Sequence, residues 1–308
     1  MSDVGELTQE QKDFLEPYLP PDACASLQHE TRTLDLETLG SPSGEKPDLP
    51  FVTLTYATSL DSMIALAPGV RTTLSGPESK CMTHYLRLRH DAILVGAGTA
   101  VVDDPSLNCR YPGASFADQP QPVIVDTKGR FYSHNRKACR LAREGQGKRP
   151  WIVSGAESQF GARRSQLRED HLLVYEDHSQ YPSGYQPAKQ PSTTLSWVAI
   201  LAGLKQQGVN SVMIEGGAAV INALLSWPDL IDAVIITIAP TYLGHGGVAV
   251  APAPKYSDQG RQNAAWLQET RSTTFGRDIV LCGKLRREET MSSVESSSAS
   301  STKLPLTV

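Results

Sequence analysis

The sequence predicts an α/β fold, with a mostly parallel central sheet flanked by helices. Three observations carry that expectation. Short apolar runs alternate with helix-like segments through the middle of the chain. Three of those runs end in glycine-bearing turns, where open α/β sheets bind ligands. The composition, 40% hydrophobic and 20% charged over 308 residues, suits a chain with a sizeable core.

Taken in order, residues 9–18 carry a short amphipathic pattern that fits a helix, and 40–50 (GSPSGEKPDLP) reads as a linker. Residues 1–49 are therefore expected to be an N-terminal extension and linker. Residues 51–57 (FVTLTYA) alternate and are rich in β-branched and aromatic side chains, which predicts a strand. Ser75-Gly-Pro-Glu78 has the form of a capping box, with serine at the N-cap and glutamate three residues on. The helix after it places Met82, Tyr85, Leu86 and Arg89 on one face. Buried strands are expected at 92–95 (AILV), 123–125 (VIV), 151–153 (WIV), 172–175 (LLVY), 211–214 (SVMI) and 233–238 (AVIITI), with a last strand at 278–282 (DIVLC). Helices are expected at 197–207, closed by Gly208, and at 218–226, stopped by Trp227-Pro228. The long polar stretch 155–196 reads as a surface insertion in a single domain over 50–287. The serine-rich residues 288–308 cannot bury enough apolar area to order themselves.

A formal net charge of −4 gives no global attraction for nucleic acid or an anionic membrane, so a phosphate ligand has to be held locally. Five scattered cysteines form no CxxC or Cys/His cluster, so neither a disulfide framework nor a metal site is expected. No secretory apolar stretch opens the chain, and no apolar run approaches the ~20 residues of a membrane span; a cytoplasmic location is the expectation. A P-loop, a GxSxG elbow and the paired motifs of a zinc deaminase are all absent from the sequence.

The first glycine turn is Gly96-Ala-Gly98-Thr99, where backbone N–H groups can approach a phosphate closely and Thr99 adds a hydroxyl. The second is Glu215-Gly216-Gly217-Ala218-Ala219, a strand running straight into a helix, which suits an anion at the helix N-terminus. A carboxylate beside a phosphate is repulsive, so Glu215 is expected to meet a hydroxyl or amine instead. The third, Leu243-Gly-His245-Gly-Gly247, reads as a flexible turn. Between the first two lies Asp103-Asp104-Pro105, with Arg110 six residues past Asp104 and able to hold a phosphate through two N–H groups.

Taken together the chain resembles the riboflavin-biosynthesis reductase family, whose fold is similar to that of dihydrofolate reductase. The matching stretches are 50–65 (PFVTLTYATSLDSMIA), 73–79 (TLSGPES), 86–110 (LRLRHDAILVGAGTAVVDDPSLNCR), 122–131 (PVIVDTKGRF), 212–225 (VMIEGGAAVINALL), 231–244 (IDAVIITIAPTYLG) and 275–285 (FGRDIVLCGKL). The resemblance implies a homodimer that uses NADPH. It implies cofactor contacts at Thr99, Asp103, Thr127, Val153, Ser154, Glu215, Gly216, Gly217, Ala218 and Ala219, with Glu215 turned towards substrate. The substrate's ribose phosphate is implied near Thr73, Arg87, Leu107 and Arg110. One departure stands out: the family reads Ser-x-Asp-Gly after the first strand, whereas this chain has Ser59-Leu-Asp61-Ser62, so the backbone there must do without the freedom of glycine.

On that resemblance the expected reaction reduces the ribosylamino group of a pyrimidinone 5′-phosphate to ribitylamino. Asp61 and Glu215 are the candidate general acids, with water as the third possibility. Without a deaminase motif, the chain looks like the stand-alone fungal or archaeal type, which reduces the 2,5-diamino compound before deamination. Three rivals remain open: the same reduction on the deaminated pyrimidinedione, a pterin reductase of the same fold, and a nucleotide-binding regulator without catalysis.

Overall fold

The computed structural model describes residues 4–21, 48–131, 135–155, 172–175, 196–253, 255–256, 262–263 and 265–285. Most of the expected linker and insertion, and all of the serine-rich tail, lie outside the described residues.

In chain order the elements are α1 (Gln9–Leu15), β1 (Phe51–Thr58), β2 (Met63–Ala65), α2 (Pro77–Leu88), β3 (Ala92–Gly96), α3 (Ala97–Val102), β4 (Gln121–Val125), α4 (Lys137–Arg143), β5 (Trp151–Gly155) and β6 (Leu172–Tyr175). They continue with α5 (Trp197–Gln206), β7 (Ser211–Gly216), α6 (Ala218–Leu225), β8 (Ala233–Ile238), β9 (Val248–Ala249), β10 (Lys255–Tyr256), β11 (Gln262–Asn263), β12 (Leu267–Phe275) and β13 (Asp278–Leu285). Nine strands form one sheet in the order β12-β13-β8-β1-β7-β3-β4-β5-β6. The strands from β8 to β6 in that order are parallel, and β13 and β12 close one edge as an antiparallel hairpin. The α/β expectation with a mostly parallel sheet is met.

The apolar runs are continuous because their strands are covered on both faces, and the pleat sorts successive residues to opposite layers. In β7, Val212 and Ile214 join Leu54, Leu94 and Val234 beneath α5 and α6. Met213 between them points the other way, towards α2 and the terminal hairpin. In β3 the same alternation sends Ile93 and Val95 to a third cluster with Ile124 and the alanines of α3. Strand starts are fixed by carboxylates: Asp91 Oδ2 accepts from Asn210 N at 2.8 Å and Ser211 N at 3.0 Å, and Asp232 Oδ2 accepts from Val52 N at 2.8 Å.

Two local expectations are corrected. Ser75 does not cap α2: the N-cap falls on Gly76 with no side-chain cap of its own. The cap comes from the far end of the chain, where buried Asp278 Oδ2 accepts from Gly76 N and Ser79 Oγ, both at 2.7 Å. A reciprocal capping box does occur at Thr8 and Gln11, at the start of α1. The N-terminal segment is also no mere extension. Phe14, Leu15, Tyr18 and Leu19 are buried against α2, Phe275, Val280 and Cys282, each apolar side chain contributing about 1.5–3 kcal/mol on burial. Tyr18 donates its hydroxyl hydrogen bond to the Glu269 carbonyl, and Arg89 Nη1 and Nη2 donate to Glu16 at 2.8 and 3.0 Å.

Candidate active site

The sheet order reverses around β7, which lies between β1 and β3, so the segments leaving the carboxyl ends of these three strands are neighbours. Two glycine turns meet there. Thr99 sits in the first turn of α3 rather than in a loop. A Cβ on Gly217 would lie 2.8 Å from Thr99 Oγ1, and one on Gly216, at φ +102°, would lie 2.8 Å from Ile221 Cδ1. Side chains at these two positions would crowd the helices α3 and α6 that follow the β3 and β7 ends. The Gly216–Gly217 peptide is cis. Helix α6 begins at Ala218 with Gly217 as an N-cap that offers no side-chain acceptor, so the N–H groups of Ala218 and Ala219 start a helix without a capping side chain.

Glu215, expected to face substrate, is bound first to a neighbouring arginine. Arg87 Nη2 donates to Oε1 and Oε2, both at 2.9 Å, and Arg87 Nε donates to Oε1 at 3.0 Å. Arg87 Nη1 donates to the Asn108 carbonyl at 3.0 Å. The two side chains are 9% and 19% exposed. Arg87, expected near the substrate phosphate, is thus already matched by the Glu215 carboxylate.

Arg110 is different. It is exposed, carries no ion pair to a carboxylate among the described residues, and leans on His84, with Nη2 3.0 Å from Nε2. Burial first, then Arg87 and Arg110, push the His84 pKa down to about 3. The segment leading to Arg110 is held tightly: Gln119 accepts from Cys109 N at 2.8 Å and donates to Cys109 O at 2.9 Å. Tyr111 packs its ring on Tyr85 with centroids 5.3 Å apart, and its hydroxyl accepts from Leu7 N at 3.1 Å. Upstream, Asp104 and Leu107 both take left-handed backbone angles, φ 43° and 56°, a costly choice for side chains other than glycine. Asp104 Oδ1 accepts from Lys137 N at 3.0 Å at the start of α4, whereas the carboxyl of its neighbour Asp103 is raised by burial, against the pull of Arg71.

Asp61, a candidate acid in the sequence, is fully engaged in hydrogen bonds. It accepts from the Ser59 hydroxyl and from the backbone N–H groups of Leu243 and Gly244, the latter two at 3.1 and 2.7 Å. The Ser59 hydroxyl and these N–H groups hold its pKa down at about 2, so at neutral pH it carries no proton to give. These contacts tie the β1–β2 turn to the loop after β8. Ser62, where the resemblance implied glycine, adopts φ 62°. The turn keeps the glycine-like angle despite the side chain.

The remaining candidates are spread over several segments. Val153 and Ser154 are buried at the end of β5, and Ser154 Oγ has no hydrogen-bond partner among the described residues. Thr127 is half-buried in the turn after β4, beside buried Asp126, whose Oδ2 accepts from Phe131 N at 2.6 Å. Thr73 is exposed on the segment before α2, and Leu107 is buried. Sequence reasoning missed His84, Asn108 and Gln119. Of these only His84 left a signal, since it lies three residues before Arg87 on α2 and shares its face.

A mostly parallel open sheet with glycine turns meeting at its reversal point, beside a buried ion pair, is the frame of an α/β enzyme, a class whose ligands commonly sit at the strand ends. The chain belongs to the family described as the RibD C-terminal domain, whose model matches residues 50–281. It is 37% identical over 286 residues to a 2,5-diamino-6-ribosylamino-4(3H)-pyrimidinone 5′-phosphate reductase of Eremothecium gossypii, covering 91% of this chain and 98% of that protein. The protein of the same name from Saccharomyces cerevisiae is 38% identical over 242 residues, covering 78% of this chain and 89% of the relative. Among solved structures, the riboflavin biosynthesis reductase of Saccharomyces cerevisiae superposes with a TM-score of 0.64 at 32% identity, covering 90% of this chain and 100% of that one. The chain is accordingly a reductase.

Proposed function

We propose that this chain reduces the ribosylamino side chain of 2,5-diamino-6-ribosylamino-4(3H)-pyrimidinone 5′-phosphate to ribitylamino, in riboflavin biosynthesis, with NADPH. The observation that carries the reading is identity of 37% to a reductase of that name over 91% of the chain, with the glycine turns and Arg110 all inside the shared length. Bound NADPH supplies the hydride that reduces C1′ of the ribose. The strand ends fit such a cofactor: the bare backbone at Gly216 and Gly217, the uncapped start of α6, and the buried unpaired Ser154 hydroxyl all suit a large polar ligand. Thr99, Asp103, Thr127, Val153, Ser154, Ala218 and Ala219 complete that groove.

Arg110 holds the substrate phosphate, with Thr73 and Leu107 beside it, and so sets C1′ against the cofactor groove. Glu215, aimed by Arg87, orients the ribose or the pyrimidine amine. With Asp61 committed to the loop after β8 and Glu215 to Arg87, the proton for opening the ribose ring comes from water. The protein acts as a cytoplasmic homodimer. No helix among the described residues is long and apolar enough to cross a membrane.

The test is NADPH oxidation, followed by its near-ultraviolet absorbance, with the diamino substrate and with its deaminated analogue. Oxidation with the diamino compound alone supports the reading. Preference for the deaminated compound reverses the order of reduction and deamination, and oxidation only with a pterin overturns the substrate class. Light scattering of the purified protein checks the dimer.

A further inference from the structure

We propose that His84 is a further ligand of the substrate's phosphate, donating its Nε2–H to an oxygen that Arg110 also binds. The inference rests on reading the Arg110 cluster as the phosphate site. It begins with a tautomer. The backbone N–H of Arg110 donates to His84 Nδ1 at 3.1 Å. A neutral imidazole has a single acceptor nitrogen, so Nδ1 takes that role and the hydrogen sits on Nε2. The residue is buried and flanked by two guanidinium groups, surroundings that keep its ring neutral.

Nε2 in turn lies 3.0 Å from Arg110 Nη2. With hydrogen on both nitrogens this contact is donor against donor, and neither group is satisfied by the other. An anionic oxygen beside the pair accepts from both at ordinary hydrogen-bond length. Arg87 is matched by Glu215 and Asn108 O, whereas Arg110 has no carboxylate among the described residues. The frame is rigid: Gln119 fixes both polar groups of the Cys109 backbone, and Cys109 Sγ donates to His84 O at 3.3 Å. A neutral N–H beside one cation favours an oxyanion with several acceptor oxygens, which is what a phosphate monoester offers.

Two measurements test this on the full chain. With ¹⁵N-labelled histidine, long-range proton–nitrogen spectra of the free protein should show His84 as the Nε2–H tautomer, and ribose 5-phosphate should shift its Nε2 saturably. His84→Asn keeps an acceptor for the Arg110 N–H but loses the distal donor. It should raise KM for the pyrimidine phosphate about ten- to hundredfold, the range for losing a hydrogen bond to a charged group. Its kcat should change less than about threefold and His84→Gln should recover most of the loss. An Nδ1–H tautomer, no shift with ribose 5-phosphate, or an unchanged KM in His84→Asn would overturn the proposal. Should that variant fail to fold, the titration of the wild-type protein decides alone. If the wild-type protein turned over no pyrimidine phosphate, the functional reading would fall while the titration still reported on His84.

Discussion

Removing the Glu215 carboxylate leaves the Arg87 guanidinium, in a side chain only 9% exposed, with the Asn108 carbonyl as its remaining acceptor. Three contacts of 2.9–3.0 Å disappear at once. Breaking a buried pair from one side costs about 3–5 kcal/mol, and with Glu215 19% exposed the lower end applies, about 3 kcal/mol. For a domain of this size that is a fall in Tm of roughly 6–12 °C. Glu215→Ala should show it in thermal and urea unfolding, together with a loss of kcat/KM. Replacing both residues by methionine should restore most of the stability, since no unpaired charge is left, but none of the activity. Because Arg87 aims Glu215, the two should fail as a unit: either single replacement should cost about as much kcat/KM as the pair. A Glu215→Ala penalty below about 1 kcal/mol, or additive kinetic losses, would refute the assignment of Arg87 as the residue that orients Glu215.

Other expectations are as specific. Asp278→Ala strips the α2 start of an acceptor shared by Gly76 N and Ser79 Oγ, and should destabilise by about 2 kcal/mol in urea, with Asp278→Asn losing less. Ser62→Gly relieves a left-handed serine at about 1 kcal/mol while loosening the unfolded chain, so Tm should hold or rise, whereas Ser62→Val should lower it. Burial pushes His84 down to about 3 and His90 to about 4, both below the ordinary 6.5. The unfolded chain therefore binds more protons in that window, so stability is full above pH 6.5 and falls as pH drops towards 4, by up to ~1.4 kcal/mol per pH unit for each ring. Urea midpoints at pH 7 and 5 measure it, and equal midpoints would contradict two buried neutral imidazoles. Gly217→Ala drives a Cβ to 2.8 Å from Thr99 Oγ1, and should weaken NADPH binding by about tenfold or more while the fold persists, as read by fluorescence titration.

The central strands were legible because parallel strands covered on both faces leave continuous apolar runs, as AILV and AVIITI do. Strand β12 left no such trace. It is an edge strand whose residues are mostly exposed, so LQETRSTTF shows neither an apolar run nor an alternation. The short helices α3 and α4 span barely two turns and carry too few apolar residues to show a period. At the site, the glycine turns were readable because close backbone approach demands glycine locally. The pairing of Arg87 with Glu215, 128 residues apart, was not, because the partner of a side chain is set by tertiary packing. The cap of α2 failed for the same reason: Ser75 matched a local pattern, but Asp278, 202 residues away, reached Gly76. Asp61 looked like a catalytic acid in sequence because nothing local reveals that Leu243 and Gly244 occupy its oxygens.

The docking of α1 has a consequence for the order in which the molecule can be made. Tyr18 bonds to Glu269, 251 residues further on, and Phe14 packs on Phe275 with ring centroids 6.3 Å apart. A ribosome delivers the first of each pair long before the second, so the opening segment emerges with an apolar stripe and no surface to receive it. The sheet beneath it can assemble meanwhile, but the stripe waits until the terminal hairpin has been synthesised and folded. Burial of Tyr18 therefore marks a chain whose terminal hairpin has been made and folded. A protease that cuts at aromatic residues should cleave after Tyr18 in nascent chains or chains truncated before the hairpin, and not at that bond once the hairpin is in place.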